Sequence, residues 1–560
     1  MNKVLKQKYW AIAFLSLLIS ACGVDETTPP APISVSMTPN TANIYVSESV
    51  QFTSMVFNST NGAVIWSLSG TGCSGTACGT ISNTGLYTAP PNVPSPAIVT
   101  VKAASAADNT KSASSIVTIL EAVSNTWAWV SGSNSVNQEG VYGTRGTASS
   151  TNVPGARETA VSWIDHSGRF WLFGGGSSWP YHQGAYNDLW TYDPTTREWT
   201  WVSGSSTVDQ AGSYGTQGKP SPSNVPGARI YTVSWIDLSG NLWIFGGFGM
   251  DFSGNGGELS DLWRYNPGTN EWTWVSGNYG LYWSGFYGTK GTSDPSNKPG
   301  ARYGAVAWVD SIGNFWLFGG QGYDSAGQSG WLNDLWKYDI AANEWAWVSG
   351  SDIRYPLGSY GILGIPDPSN VPGPRKNAVT WLDSQGKLWM FGGVGHDSAD
   401  NAGALNDLWS FDPIALEWTW ISGSNIRDQA GIYGTMGIAD PSNVPGGRYA
   451  ALSWYDSSGE LWLFGGLGRD SAGLGDASLN DLWNFDLATL EWTWVSGNSS
   501  GNQGGVYGTK GIADPSNVPG ARTGAVSWVD SLGKLWLFGG YGFEEFASTG
   551  QLNDLWKYFK

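Results

Sequence analysis

The chain is poor in charge, in cysteine and in histidine. Only 13% of its 560 residues are Asp, Glu, Lys or Arg, against the usual quarter. What charge there is leans acidic, with 28 Lys and Arg against 45 Asp and Glu, a net −17. A nucleic-acid binder carries a basic footprint, so no nucleic-acid partner is expected. Three Cys and three His leave little material for a Cys/His metal site, and neither metal nor cofactor is expected. The apolar run from Trp10 to Leu18 is too short to span a bilayer comfortably as a mature helix. Apolar residues reach 41%, which rules out wholesale disorder. The abundant residues are 78 Gly and 35 Trp. Helices tolerate Gly poorly and strands favour aromatics, so the composition reads as all-β with many turns.

Residues 1–21 place Lys3, Lys6 and Lys8 before the apolar run, which ends in Ile19-Ser20-Ala21-Cys22. That is a basic n-region, a short h-region and a small-residue cleavage site. Ile-Ser-Ala-Cys resembles the lipobox of bacterial lipoproteins. The resemblance implies cleavage before Cys22, lipidation of its thiol, and a place in the bacterial cell envelope. Gly23 stands where an Asp would mark inner-membrane retention in that family, so the outer membrane is expected, with the lipid anchor as the only membrane contact. The alternative is an ordinary secretory signal with an incidental Cys. Residues 22–32 contain DETTPPAP, polar and Pro-rich, as a tether would be.

Residues 33–122 alternate apolar and polar in short runs separated by Gly, Pro, Asn and Ser, the pattern of a small sandwich. The opening VSMTP, the central Trp66 and the turn GTISNTGLYTAP resemble bacterial Ig-like domains. Cys73 and Cys78 are expected to pair in an oxidising compartment as a structural staple with modest gain, the loop being short. The expected role of this domain is a spacer.

The remainder, 123–560, is one unit written six times. Phe-Gly-Gly begins at Phe173, Phe245, Phe318, Phe391, Phe464 and Phe538. Asn/Ser-Asp-Leu-Trp ends at Trp190, Trp263, Trp336, Trp409, Trp483 and Trp556. A Pro-Gly-x-Arg supplies Arg157, Arg229, Arg302, Arg375, Arg448 and Arg522. Glu-Trp-(Thr/Ala)-Trp has five copies, and its missing partner stands at the front as Trp127-Ala128-Trp129. Each unit holds four strand-like runs, a to d. In the sixth they are 525–529, 534–538, 554–558 and, wrapped round from the front, 127–131. Strand b is apolar on both faces, as between stacked sheets. Six four-stranded sheets about an axis make a six-bladed β-propeller, closed by strand 127–131.

The double Gly ending strand b, the aromatic ending strand c, the Trp seven residues later and the Arg before strand a resemble kelch repeats, as in the central domain of galactose oxidase. The units exceed the usual kelch length of about 50. The excess is a long d–a loop with Gly-x-Tyr-Gly-x-x-Gly. A monomeric propeller is expected, and in a four-stranded meander the b–c and d–a loops share one face, here the elaborate one and the expected binding face. Copper-radical oxidation needs a Cys cross-linked to Tyr, and no Cys follows Cys78, so that chemistry is excluded.

Residues kept in all six units read as blade requirements. The thirty Trp at equivalent strand positions are packing. The six Arg read either as an anion site at the channel mouth or as bridges to the Asp before Leu-Trp, such as Asp188. Positions that break the symmetry are the binding candidates: Glu158, Tyr231, Tyr303, Lys376 and Tyr449 after the Arg; Trp179, Tyr181, His182, Trp331, Tyr541 and Phe543 in b–c loops; and Tyr279, Tyr282 and Trp283 in a d–a loop. Loop aromatics suit sugar rings or protein contacts, and otherwise seal the blade tops. Asp-Ser-Ala in several b–c loops matches no known calcium loop. Three functions stay open. One is an envelope-anchored binding or adhesion lipoprotein with a glycan or protein ligand. Another is a sugar isomerase or hydrolase-like enzyme, with Glu158 and Lys376 as acid–base candidates. The third is a purely architectural part.

Overall fold

The computed structural model describes residues 31–121, 123–176 and 184–560. The leader, Cys22, and the loop aromatics Trp179, Tyr181 and His182 lie outside them. The chain forms two compact units, divided between Ile119 and Leu120. No helix among the described residues is long and apolar enough to cross a membrane.

In the first unit, Thr41–Tyr45, Ser112–Leu120, Ile98–Ser105 and Val64–Ser69 form one sheet in that order. Ser49–Gln51, Leu86–Thr88 and Thr80–Ile81 form another, and Ser34–Thr38 pairs with Thr53–Phe57. The period-2 pattern buries Val99, Val101 and Ala103 on one side of their strand. They join Ile44, Phe52, Tyr87 and Val117 in the core. Cys73 and Cys78 are bonded, their Cα atoms 5.1 Å apart.

The second unit is a six-bladed β-propeller. Blade 1 runs outward as Val161–Ile164, Phe170–Phe173, Leu189–Asp193 and Glu198–Ser203, each antiparallel to the last. Strands a of blades 2 to 5 are Val233–Ile236, Val306–Val309, Val379–Leu382 and Leu452–Tyr455. Blade 6 takes Val526–Val529, Leu535–Phe543 and Thr549–Phe559 from the end of the chain and Thr126–Ser131 from its front. There Trp127 stands opposite Tyr558, and Trp129 opposite Trp556. The two faces of strand b are buried in different interfaces. Trp171 and Phe173 pack with Leu242 and Ile244 of blade 2, while Phe170 and Leu172 pack with Trp528 and Trp536 of blade 6.

A second closure runs round the axis. Thr159, Tyr231, Gly304, Asn377, Ala450 and Gly524, one per blade, all have φ between 51° and 65°. Each amide donates to the carbonyl of its equivalent in the preceding blade, and Thr159 donates to Gly524, at 2.6–3.2 Å. The left-handed conformation aims both groups along the ring. Two copies meet it with Gly, and the others hold a side chain there at a cost of about 1 kcal/mol each.

The long d–a loop differs from its expected use. Rather than standing free on one face, it lines the outer edge of the following blade. Gly146, the last Gly of its motif, donates to the Trp201 carbonyl of strand d. The pattern repeats at Gly218, Gly291, Gly364, Gly437 and Gly511. In blades 3 and 6 the loop adds a short strand, Ser293–Asp294 on Glu344–Ser349 and Ala513–Asp514 on Thr126–Ser131. An open edge of six Trp-rich strands would invite pairing with other chains, and the insertion occupies it.

Candidate functional site

The six Arg are buried bridges, which decides between their two readings. Arg157 grips Asp188 with both guanidinium nitrogens at 2.6 and 2.8 Å, and also donates to the Gly155 and Gly174 carbonyls. The same carboxylate accepts from the Tyr142 hydroxyl of the insertion and the Trp190 indole. All six blades repeat the bidentate Arg–Asp contact. With their donors engaged in the blade, the Arg make no anion ring at the channel. The b–c loop aspartates are likewise structural. Asp324 and Asp397 accept from amides in their own turn and from the Arg354 and Arg427 amides of the neighbouring insertion, and both are buried rather than solvated. Among the described residues no cluster of His, Cys, Asp and Glu could hold a metal ion.

Asymmetry begins beside the axial ring. The residue before each ring member pairs across strand b and on to the b–c hairpin, so every blade presents a row of three positions. The rows read Ile230–Phe248–Glu258 in blade 2, Tyr303–Gln321–Trp331 in blade 3 and Lys376–Val394–Ala404 in blade 4. Blade 5 reads Tyr449–Leu467–Ser478, blade 6 Thr523–Tyr541–Gln551, and blade 1 Glu158–Gly176–Ala185. The ring itself and the residues after it line an axial cavity of about 160 Å³.

Blades 2 to 4 gather a polar and aromatic cluster. Lys376 Nζ donates to Gln321 Oε1 at 2.7 Å and to the Tyr303 hydroxyl at 3.2 Å, and lies 4.7 Å from the Tyr303 ring centre. Tyr303 Oη also donates to Gln321 Oε1 at 2.7 Å, and its ring meets Tyr231 and Phe248 at 5.9 Å. Burial pulls the Lys376 ammonium down to about 8, with Glu258 acting the other way. Burial raises the Glu258 carboxyl, with Lys376 opposing. The Tyr303 hydroxyl is pushed up to about 12 by burial, with Glu258 and Tyr355 adding to it. Beyond Tyr303, Tyr355 stacks on His396 at 5.3 Å and Trp331 meets the same imidazole edge-on at 5.2 Å. His396 Nδ1 is 2.6 Å from Asp400. Tyr282 reaches Tyr323 at 5.8 Å on the same side.

Of the sequence candidates, Tyr231, Tyr303, Trp331, Lys376 and Tyr282 thus come together. Tyr279 seals its own blade against Tyr214, Phe252 and Trp274. Trp283 is half exposed at a loop tip. Tyr449 stands apart in blade 5, its hydroxyl 3.5 Å from Asp476, and Tyr541 and Phe543 belong to the blade 6 hairpin. The two acid–base candidates, Glu158 and Lys376, are not brought together. Glu158 is buried in blade 1, half a turn round the ring from blade 4, and the carboxylate that acts on Lys376 is Glu258. Glu258, Gln321 and Tyr355 were missed because each lies outside the repeated motifs.

No family model matches the chain. Over 96 residues it is 34% identical to the dynein alpha chain of the flagellar outer arm of Chlamydomonas reinhardtii, a match taking in 16% of this chain and only 2% of that one. The solved structure of YjhT is similar over 72% of this chain and 95% of its own, at 15% identity and a TM-score of 0.42. A fungal alcohol oxidase of the AA5 family, in complex with copper, is similar over 72% and 74%, at 13% identity and a TM-score of 0.40. The propeller is read from the strand pairing above, and the site from its own geometry.

Proposed function

We propose that this chain is an envelope-anchored lipoprotein whose propeller binds a glycan through the mouth formed by blades 2 to 4. Lys6 and Lys8, the apolar run and Cys22 support the anchor, and the Pro-rich tether and the Ig-like sandwich serve as spacer. The observation that carries the binding reading is the gathering of repeat-breaking residues in three adjacent blades. Blades 2 to 4 set a cation, an amide, a carboxyl group and stacked aromatics side by side, whereas Glu158, Tyr449, Tyr541 and Gln551 are spread over blades 1, 5 and 6. Polar groups of both signs flanked by open aromatic faces suit the hydroxyls and apolar faces of sugar rings.

A glycan array probed with the soluble 33–560 fragment tests this. Specific binding that is lost in Lys376→Met and Trp331→Ala, and kept in Trp283→Ala, is the expected result. A blank array would turn the reading towards a protein partner, and binding untouched by the first two variants would move the site elsewhere. Labelling with a radioactive fatty acid, absent in Cys22→Ser, tests the anchor.

A further inference from the structure

Lys376 has an unusual setting for an ammonium. Its two hydrogen-bond partners, Gln321 Oε1 and the Tyr303 hydroxyl, are neutral, and no carboxylate lies within ion-pair distance of it among the described residues. Its neighbours Tyr303, Tyr231 and Phe248 are aromatic. It stays partly open to solvent beside the axial ring. The titratable groups facing it are Glu258 from blade 2, Tyr303 from blade 3 and, past Tyr303, Tyr355 from the adjacent insertion. Elsewhere in the propeller, lysines also lie over aromatic rings. Lys290 and Lys510 cover Trp347 and Trp129 and donate to backbone carbonyls. Lys376 lies over the Tyr303 ring as well, but its hydrogen bonds go to side chains rather than to backbone carbonyls.

We infer that Lys376 is a carbonyl-capturing amine, which holds an aldehyde or ketone ligand, such as the open-chain reducing end of a sugar, as a reversible imine. This deepens the binding reading at the same mouth. Partial burial against neutral hydrogen-bond partners, with Glu258 only at longer range, supports it, because it keeps part of the amine neutral near pH 8. The nitrogen lone pair forms the C–N bond as the carbonyl π pair moves to oxygen. That oxygen takes a proton from the Tyr303 hydroxyl, giving a carbinolamine, and an amine proton returns to Tyr303. The carbinolamine hydroxyl then takes a proton from the Glu258 carboxyl through solvent water and leaves as water as C=N forms, and the last nitrogen proton returns to Glu258 by the same water route. Amine and carbonyl yield imine and water, with no oxidant or reductant. Tyr303 is well placed to give and regain a proton, since its oxygen contacts Nζ directly.

The test is reductive trapping on the purified full-length chain with glyceraldehyde and cyanoborohydride, mapped by peptide mass across pH 6 to 10. Lys376 is expected to be labelled about tenfold or more faster than the exposed Lys219 and Lys298 near pH 7.5, because its neutral fraction is far larger than that of an ordinary lysine. Lys376→Arg should lose that peptide's label while the other sites keep theirs. Tyr303→Phe and Glu258→Gln should slow labelling at Lys376 alone. Labelling of Lys376 no faster than the exposed lysines would overturn the inference, and fast labelling indifferent to both variants would overturn the proton route. Trapping with a blank glycan array would instead sink the glycan reading and leave the amine chemistry standing.

Discussion

Arg375 and Lys376 are neighbours in sequence and opposites in use. Arg375 is buried, bidentate to Asp407 at 2.7 and 2.8 Å, and repeated in every blade. Lys376 is partly exposed, has no repeat, and hydrogen-bonds only neutral partners. One peptide bond separates a blade requirement from the start of the proposed binding surface. The general lesson is that a repeat protein carries its own control experiment. What six copies share is the price of folding, and what one copy changes is free for function.

The comparison breaks most severely at the seam of the ring. Removing residues 124–131 takes away the strand that pairs with Thr549–Phe559 and the fully buried Trp127. Losing one buried Trp side chain costs about 3–5 kcal/mol, so the whole strand should cost more than that in thermal or denaturant unfolding. The axial ring of amide bonds does not include this strand. An unchanged melt would show that the ring alone holds blade 6 shut.

The neighbouring pair gives the next largest contrast. Arg375→Ala leaves the Asp407 carboxylate buried with only the Tyr360 hydroxyl and the Trp409 indole as side-chain partners. Breaking one side of a buried pair costs about 3–5 kcal/mol. Lys376→Met, one residue on, should change stability by about 1 kcal/mol or less and abolish ligand binding. Equal destabilisation by the two would erase the distinction on which the site assignment rests.

The axial ring allows a smaller and signed test. Ala450 holds φ at 51°, so Ala450→Gly should stabilise by about 0.5–1 kcal/mol. Gly304→Ala should destabilise by more than about 1 kcal/mol, since a Cβ there would stand 2.5 Å from Asn377 Oδ1. Matching signs for the two would mean that the ring tolerates side chains irrespective of its backbone geometry.

Much of this architecture was legible because the motifs recur in order. Blade number, the wrapped strand, the two-faced strand b and the Arg–Asp bridge all follow from residues visible six times over. The axial ring was hidden, because its members are Thr, Tyr, Gly, Asn, Ala and Gly. What they share is a backbone angle, and no residue pattern encodes it. The edge-covering role of the insertion was hidden for a related reason. Its Gly-x-Tyr-Gly motif was plain, but the partners of Tyr142 and Gly146 lie 46 and more residues away. At the site, Lys376 and Tyr303 stood out by position after the Arg. Glu258 and Gln321 required the register of the extended b–c hairpins, which turns three distant residues into one row.

A further contrast concerns the charge state of Lys376 in the folded protein. Its folded pKa is about 8, below the unfolded value near 10.5, because burial disfavours the ammonium more than Glu258 supports it. Between those two values the unfolded chain binds more protons than the native one, so stability rises with pH across that window. Below pH 8 both states are charged and the cost of burying the ammonium is present in full; above 10.5 both are neutral and it is gone. Subtracting the unfolding free energies of Lys376→Met from those of the parent, measured in urea at pH 7, 8, 9 and 10, isolates this contribution from every other titrating group. The difference should climb in the parent's favour from pH 8 upward. A flat difference would place Lys376 in water, with an ordinary pKa, and with it would go the reason for treating blades 2 to 4 as chemically distinct from blades 5, 6 and 1.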